Sequence, residues 1–168
     1  MNKTAIIYSF NTKKTAKVAE QIKAALNDDA VELINAEDIT AEKFTSYNQL
    51  ILGVPTWFDG ELPNYWDEFV PEIEDMDLKG KKFALYGLGD QKGYPENFQD
   101  AVGIMAELLE QQGGEIIGLT STEGYEFESS RAVRENLFLG LAIDYENQGS
   151  KNKTRIPAWA ESLKKVFK

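Results

Sequence analysis

Five short, mostly apolar runs alternate with stretches of helical periodicity, and this alternation constrains the fold more than any other feature of the chain. The runs occupy residues 5–8, 31–34, 49–54, 82–86 and 115–119. Their length and their content of Ile, Leu, Val, Ala, Phe and Tyr suit strands buried on both faces. Between them, Val18, Ala19, Ile22, Ala25 and Leu26 share one face of a helix over residues 15–26, which Asn27-Asp28-Asp29 ends. Phe98, Ala101, Val102, Met105, Leu108 and Leu109 mark a second long helix, stopped by Gly113-Gly114. Trp159, Ala160, Leu163, Val166 and Phe167 mark a last one, with Pro157 near its start. Short helices are expected near residues 41–44 and 66–70. Repeated strand–helix units predict an α/β fold: a doubly wound, five-stranded parallel sheet with helices on both faces. A length of 168 residues suits a single domain over 1–168.

One stretch breaks the rhythm. Residues 120–145 separate the fifth strand from the last helix, and a structureless loop of that length is unusual. The expected solution is an insertion, about 120–140, with short strands of its own, after which residues 140–143 rejoin the sheet.

Composition narrows the chemistry. The chain has no Cys and no His. Disulfides, thiolate catalysis and cysteine-bound clusters are excluded, and the commonest general base and metal ligand are missing. Redox chemistry would have to reside in a bound cofactor. The net charge of −10 argues against nucleic acid or anionic membrane as a partner. No apolar run approaches membrane-spanning length, and the amino-terminal stretch from Met1 reads as the lead into a strand, so a cytoplasmic location is expected. Residues 44–78 contain no Lys or Arg but hold Asp59, Glu61, Asp67, Glu68, Glu72, Glu74, Asp75 and Asp77. Such a segment is either an ordinary solvated face or a docking face for a basic protein.

In a doubly wound sheet the loops after strands one, three and four meet at the switch in strand order. The first is Ser9-Phe10-Asn11-Thr12-Lys13-Lys14-Thr15. It opens a helix, where unpaired amides and the dipole suit a phosphate. Simple N-capping by Asn11 or Thr12 explains it equally. The second, Pro55-Thr56-Trp57-Phe58-Asp59-Gly60-Glu61-Leu62, places two adjacent aromatics in a loop. They either fold back on the core or form a stacking platform. The third, Gly87-Leu88-Gly89-Asp90-Gln91-Lys92-Gly93-Tyr94-Pro95-Glu96-Asn97-Phe98, combines three glycines, polar Asp90 and Asn97, and the flat ring of Tyr94.

On that third loop the chain resembles the long-chain flavodoxins. Residues 50–57, Gly60-Glu61-Leu62, Gly124-Tyr125-Glu126-Phe127-Glu128, and Gly140-Leu141-Ala142-Ile143-Asp144 with Asn147-Gln148 extend the resemblance over nearly the whole chain. It implies strand order 2-1-3-4-5, non-covalently bound FMN, and low-potential one-electron transfer between redox proteins, cycling between semiquinone and hydroquinone, rather than enzyme activity. It assigns Trp57 and Tyr94 to the two flavin faces. Gly89, Asp90, Asn97, Phe98 and Gln99 would surround the ring edge and ribityl chain, with Pro55, Thr56, Phe58, Gly60 and Leu88 lining the same site. Ser9 through Thr15 would hold the phosphate. Glu146 stands where relatives often carry an Asp near the ribityl chain. The implied partners are basic-faced redox proteins of the ferredoxin/flavodoxin-NADP reductase type and low-potential acceptors, met by a monomer. The phosphate loop departs from the family pattern Thr-x-Thr-Gly-x-Thr: Phe10 removes a hydroxyl and Lys13 replaces the Gly. Lys13 is then strained if it takes positive φ, while Lys13 and Lys14 either pair with the phosphate or point to solvent. An FMN-dependent oxidoreductase on the same fold is the alternative, and Trp57 and Tyr94 covering both flavin faces argue against it. A receiver domain lacks its acidic residues here, since Ser9-Phe10 and Pro55-Thr56 occupy those places.

Overall fold

Period-two alternation along buried strands forces a helical layer onto each face of the sheet. The computed structural model describes residues 3–167; Met1, Asn2 and Lys168 lie outside the described residues. Strands β1 (Thr4–Tyr8), β2 (Glu32–Asn35), β3 (Gln49–Gly53), β4 (Lys82–Leu88) and β5 (Glu115–Ile117) are parallel, in the order β2-β1-β3-β4-β5. Ile6, Ile51, Ala84 and Tyr86 point to one face, against Val18, Ala19 and Ile22 of α1 (Lys13–Leu26) and Ile156, Trp159 and Leu163 of α6 (Tyr145–Val166). Ile7, Leu50, Leu52, Phe83 and Leu85 point to the other. There they meet Phe44 of α2 (Ala41–Thr45), Trp66 of α3 (Asn64–Asp67), Ile73 of α4 (Val70–Glu74), and Val102 and Met105 of α5 (Asp100–Gln111).

The fifth strand position is filled in two pieces. β5 pairs with β4 from Lys82 to Ala84, and β9 (Leu141–Ile143) pairs with it from Tyr86 to Leu88. The insertion between them carries its own antiparallel sheet, β6-β8-β7, from β6 (Thr120–Ser121), β7 (Val133–Arg134) and β8 (Leu137–Phe138). The Thr120 hydroxyl donates to the Gly140 carbonyl at 2.5 Å and closes the base of this excursion. The fifth strand is shorter than its apolar run because Gly118 turns at φ +74 and its carbonyl accepts the Trp159 indole N–H at 2.7 Å.

Two helix boundaries differ from the sequence reading. The helix expected over residues 66–70 is two short ones, α3 and α4. The last helix begins far ahead of Pro157, which lies inside α6. Asp144 sets that start by capping it, its carboxylate accepting the Asn147 amide at 3.0 Å. The helix then bends at Gln148, whose φ/ψ of −136° and 36° are not helical. Pro157 is exposed on the outer side of α6, where it removes one backbone pairing of the helix.

Candidate functional site

The loops after β1, β3 and β4 open on one edge of the sheet. Thr56, Trp57, Phe58, Gly89, Asp90, Tyr94, Asn97 and Phe98 line a cavity of about 350 Å³ there. Apolar surface at this edge is left open rather than folded away, with Tyr94 53% and Phe58 74% exposed. Trp57 is shared between the core and the cavity. One edge packs on Tyr65 with centroids 5.8 Å apart, and the ring remains partly exposed at the cavity. Its loop is a closed hairpin: the Trp57 amide donates to the Glu61 carbonyl at 2.9 Å, and the Glu61 amide returns to Trp57 at 2.8 Å. Phe58 and Gly60 form the tip at φ +52 and +95. A Cβ on Gly60 would lie 2.7 Å from an Asp100 carboxylate oxygen, so glycine is required there for space as well as conformation. The Ala101 amide donates to the Thr56 hydroxyl at 3.1 Å and fixes the base of the loop to α5. Pro55 is buried behind the lining, and Leu88 ends β4 below it.

The loop after β4 is held from behind. Asp90 accepts the amides of Gly93 at 2.8 Å and Lys92 at 3.1 Å, and the Asn147 side-chain amide at 2.7 Å. The fully buried Asp144 carboxylate accepts the backbone and side-chain amides of Gln91 at 3.1 and 2.7 Å and the Asn147 side chain at 2.9 Å. The insertion adds the Glu128 and Ser129 amides on the Pro95 carbonyl, at 2.8 and 3.0 Å, and the Glu126 amide on Gln91 at 2.6 Å. Phe98 lies among Tyr125, Phe127 and Phe138, with centroids 5.3 to 6.0 Å away. The Asn97 side-chain amide donates to the Asp100 carboxylate at 3.2 Å. Gln99 is buried, turns the chain at φ +64 and donates to the Ile143 carbonyl at 3.4 Å, so it lies outside the cavity lining. Asn147, Asp144 and Gln91 are supports that the sequence reading did not place in the site. Their only signals were the Asp144-to-Gln148 motif, for Asp144 and Asn147, and the Gly87–Phe98 motif, for Gln91.

Asp90 makes this loop acid-sensitive in a defined direction. The Gly93 amide first, then Asn147 and the Lys92 amide, hold its carboxyl below the ordinary 3.8. Its contribution to the loop is complete above that value and is lost as pH falls through the lower folded-state value. The Gly93 and Lys92 amides are therefore expected to keep their exchange protection from neutral pH into moderate acid and to lose it only in stronger acid. Protection already lost near neutral pH would show that these bonds do not hold the turn.

The loop after β1 differs most from expectation. Thr12 is the N-cap residue of α1 but makes no side-chain cap bond; its hydroxyl turns back to the Ser9 carbonyl at 2.7 Å. Asn11 does not cap either: its side-chain amide donates to Glu37 at 2.7 Å. Capping therefore does not explain the loop, because both side chains are committed elsewhere. The buried Ser9 hydroxyl also donates to Glu37. These two bonds hold the Glu37 carboxyl below its ordinary range, the Ser9 bond more strongly. Lys13 is the first residue of α1 and is not among the positive-φ positions, so the strain expected of it does not arise. Lys14 pairs with Glu146 at 3.1 Å, both side chains about half exposed, an arrangement worth little in stability. Phe10 is 49% exposed and leans on Tyr8 at 5.0 Å. Thr15 is buried in the first turn. Glu37 was missed by the sequence reading. Its signal lies only in topology, since β2 runs beside β1 with Asn35 opposite Tyr8.

The acidic segment is solvated along its length. All eight carboxylates from Asp59 to Asp77 are exposed, and none enters an ion pair among the described residues. Asp59 and Glu61 lie on the Trp57 hairpin and line a separate surface depression with Leu62, Asp67 and Arg131. Among the described residues, no helix is long and apolar enough to cross a membrane.

Known proteins share this architecture in full. The chain is 41% identical over 165 residues to a flavodoxin of Nostoc sp., covering 98% of this chain and 97% of that one. It is 37% identical over 174 residues to a flavodoxin of Klebsiella pneumoniae, covering 99% of each. The crystal structure of Fusobacterium nucleatum flavodoxin bound to flavin mononucleotide superposes with a TM-score of 0.94 at 32% identity, covering 100% of both chains. The flavodoxin family model matches residues 6–159. The family model spans most of the chain, the relatives align over nearly all of it, and the chain belongs to the flavodoxin family.

Proposed function

We propose that this chain is a low-potential one-electron carrier that holds FMN non-covalently at the cavity between Trp57 and Tyr94. It is an electron-transfer flavoprotein rather than an enzyme, and its partners are other redox proteins. The observation that carries the proposal is the cavity itself: two aromatic rings flank about 350 Å³ whose remaining lining is Thr56, Gly89, Asp90, Asn97 and the Phe58 and Phe98 rings. This donor set fits a flat heteroaromatic ring with a polar edge. FMN, when bound, supplies the one-electron chemistry that a chain without Cys or His lacks.

The residues then divide the work by position. Trp57, anchored on Tyr65, is a rigid wall for one face of the ring, and Tyr94 is an exposed cover for the other. Gly89, Asp90 and Asn97, with Phe98 and Gln99 behind them, meet the ring edge and ribityl chain, and Pro55, Thr56, Phe58, Gly60 and Leu88 shape the opposite side. The first-turn amides of Lys13, Lys14 and Thr15 offer the phosphate a helix terminus, beside Ser9, Phe10, Asn11 and Thr12. Glu146 acts through Lys14. Added negative charge in the cavity is opposed by Asp90 in its lining and by Asp59 and Glu61 on the adjoining Trp57 hairpin, with Lys92 the one cation in the two flanking loops. This supports a low potential for the second electron. The same exposed carboxylates favour basic-faced partners, of the NADP-reductase type and low-potential acceptors, approaching a monomer at the flavin edge.

Reconstitution with FMN followed by stepwise reduction tests this reading. The expected result is a one-to-one yellow complex that takes up two electrons in separate steps, the second strongly negative. A chain that binds no FMN, or a complex reduced in a single two-electron step, would overturn it.

A further inference from the structure

The donors ahead of α1 are already engaged in this chain. The Ser9 hydroxyl and the Asn11 side-chain amide both donate to the same Glu37 carboxylate oxygen. Asn35 holds the Glu37 backbone beside the first loop: its side-chain oxygen accepts both the Phe10 amide and the Glu37 amide at 3.2 Å, joining the two loops. The Thr12 hydroxyl is spent on the Ser9 carbonyl. An anion arriving at the first turn of α1 therefore meets a neighbouring carboxylate that holds two donors it would use. Two negative groups sharing one set of donors repel each other. No cation offsets Glu37 locally, since it enters no ion pair among the described residues and Lys14 is turned to Glu146.

Resting on the reading of this site as an FMN site, we propose that Glu37 is a built-in competitor of the flavin phosphate, which lowers the selectivity of the chain for phosphorylated over unphosphorylated flavin. Binding of the phosphate requires the Glu37 carboxylate to give up Ser9 and Asn11. A flavin without phosphate leaves that network intact. Glu37 is thus a specificity-determining residue placed by the β2 loop, outside the three loops that line the ligand.

The test is a pair of titrations, FMN and riboflavin, on the whole chain and on Glu37→Gln, followed by flavin fluorescence. Glu37 is exposed, so the substitution leaves the core untouched. FMN is expected to bind Glu37→Gln roughly tenfold more tightly, the return of about one charge-assisted hydrogen bond, while riboflavin affinity stays within about twofold. Inorganic phosphate is likewise expected to raise the melting temperature of Glu37→Gln more than that of the parent chain. FMN binding with an unchanged or smaller preference over riboflavin in Glu37→Gln overturns the inference and makes Glu37 a scaffold for Ser9 and Asn11. Failure of both flavins to bind either protein overturns the functional reading, and the inference with it.

Discussion

Gly140→Ala is expected to lower the stability of the chain by roughly 3 kcal/mol or more, a large share of the roughly 5–15 kcal/mol typical of a domain. Gly140 is buried at the point where the insertion returns to the sheet, between the two pieces of the fifth strand. A Cβ there would overlap the carbonyl of Leu85, in the middle of the central strand β4. Neither partner can yield cheaply, because Leu85 is fully buried and β4 is paired on both sides. The relief left to the structure is displacement of β9. That displacement carries Asp144 with it, and Asp144 holds Gln91 and Asn147, which hold the loop after β4. The variant is therefore expected to lose FMN affinity as well as stability, although Gly140 is not in the cavity lining. Urea unfolding of the flavin-free chain checks the first effect and FMN titration the second. An unchanged unfolding midpoint would show that β9 does not depend on this close approach.

The same coupling explains which parts of the molecule were legible in the sequence. The central strands could be read because burial on both faces writes them as apolar runs. The interruption of the fifth strand could be read because Thr120 to Tyr145 broke the rhythm and residues 140–143 restored it. The start of α6 could not, because its first turns, from Tyr145 to Ser150, are polar and bend at Gln148, and Pro157 imitated a helix start. The aromatic and glycine-rich loops announced the cavity, but not how they are held. Asp144 reaches Gln91 across 53 positions in sequence, and Asn147 reaches Asp90 across 57. Glu37 reaches Ser9 across 28. Such contacts depend on strand order and register, which no local periodicity encodes. The loop after β1 shows the cost of reading locally. Asn11 and Thr12 have the chemistry of caps, yet a carboxylate from the neighbouring strand's loop competes for Asn11, and Thr12 closes its own turn.

Trp57→Ala is expected to weaken FMN binding roughly ten- to hundredfold, the scale of about 1–3 kcal/mol found when an aromatic stacking partner of a flat base is removed. Tyr94→Ala is expected to do the same to a smaller extent, and the difference follows from how each ring is held. Trp57 is clamped before any ligand arrives: its edge meets Tyr65 at 86°, and its backbone closes a two-bond hairpin with Glu61. Little conformational freedom remains for binding to remove. Tyr94 is 53% exposed, on a turn anchored by Asp90, and its ring must still be ordered when the ligand binds. Trp57→Phe keeps a flat face and the contact with Tyr65, and should retain most of the affinity. FMN titrations of the three variants, each with its unfolding midpoint, separate stacking from packing. If Trp57→Ala keeps parental FMN affinity while losing stability, the indole belongs to the core and not to the ligand. If affinity falls in both alanine variants with Trp57 ahead of Tyr94, the rigid wall dominates the grip and the exposed ring serves as its cover.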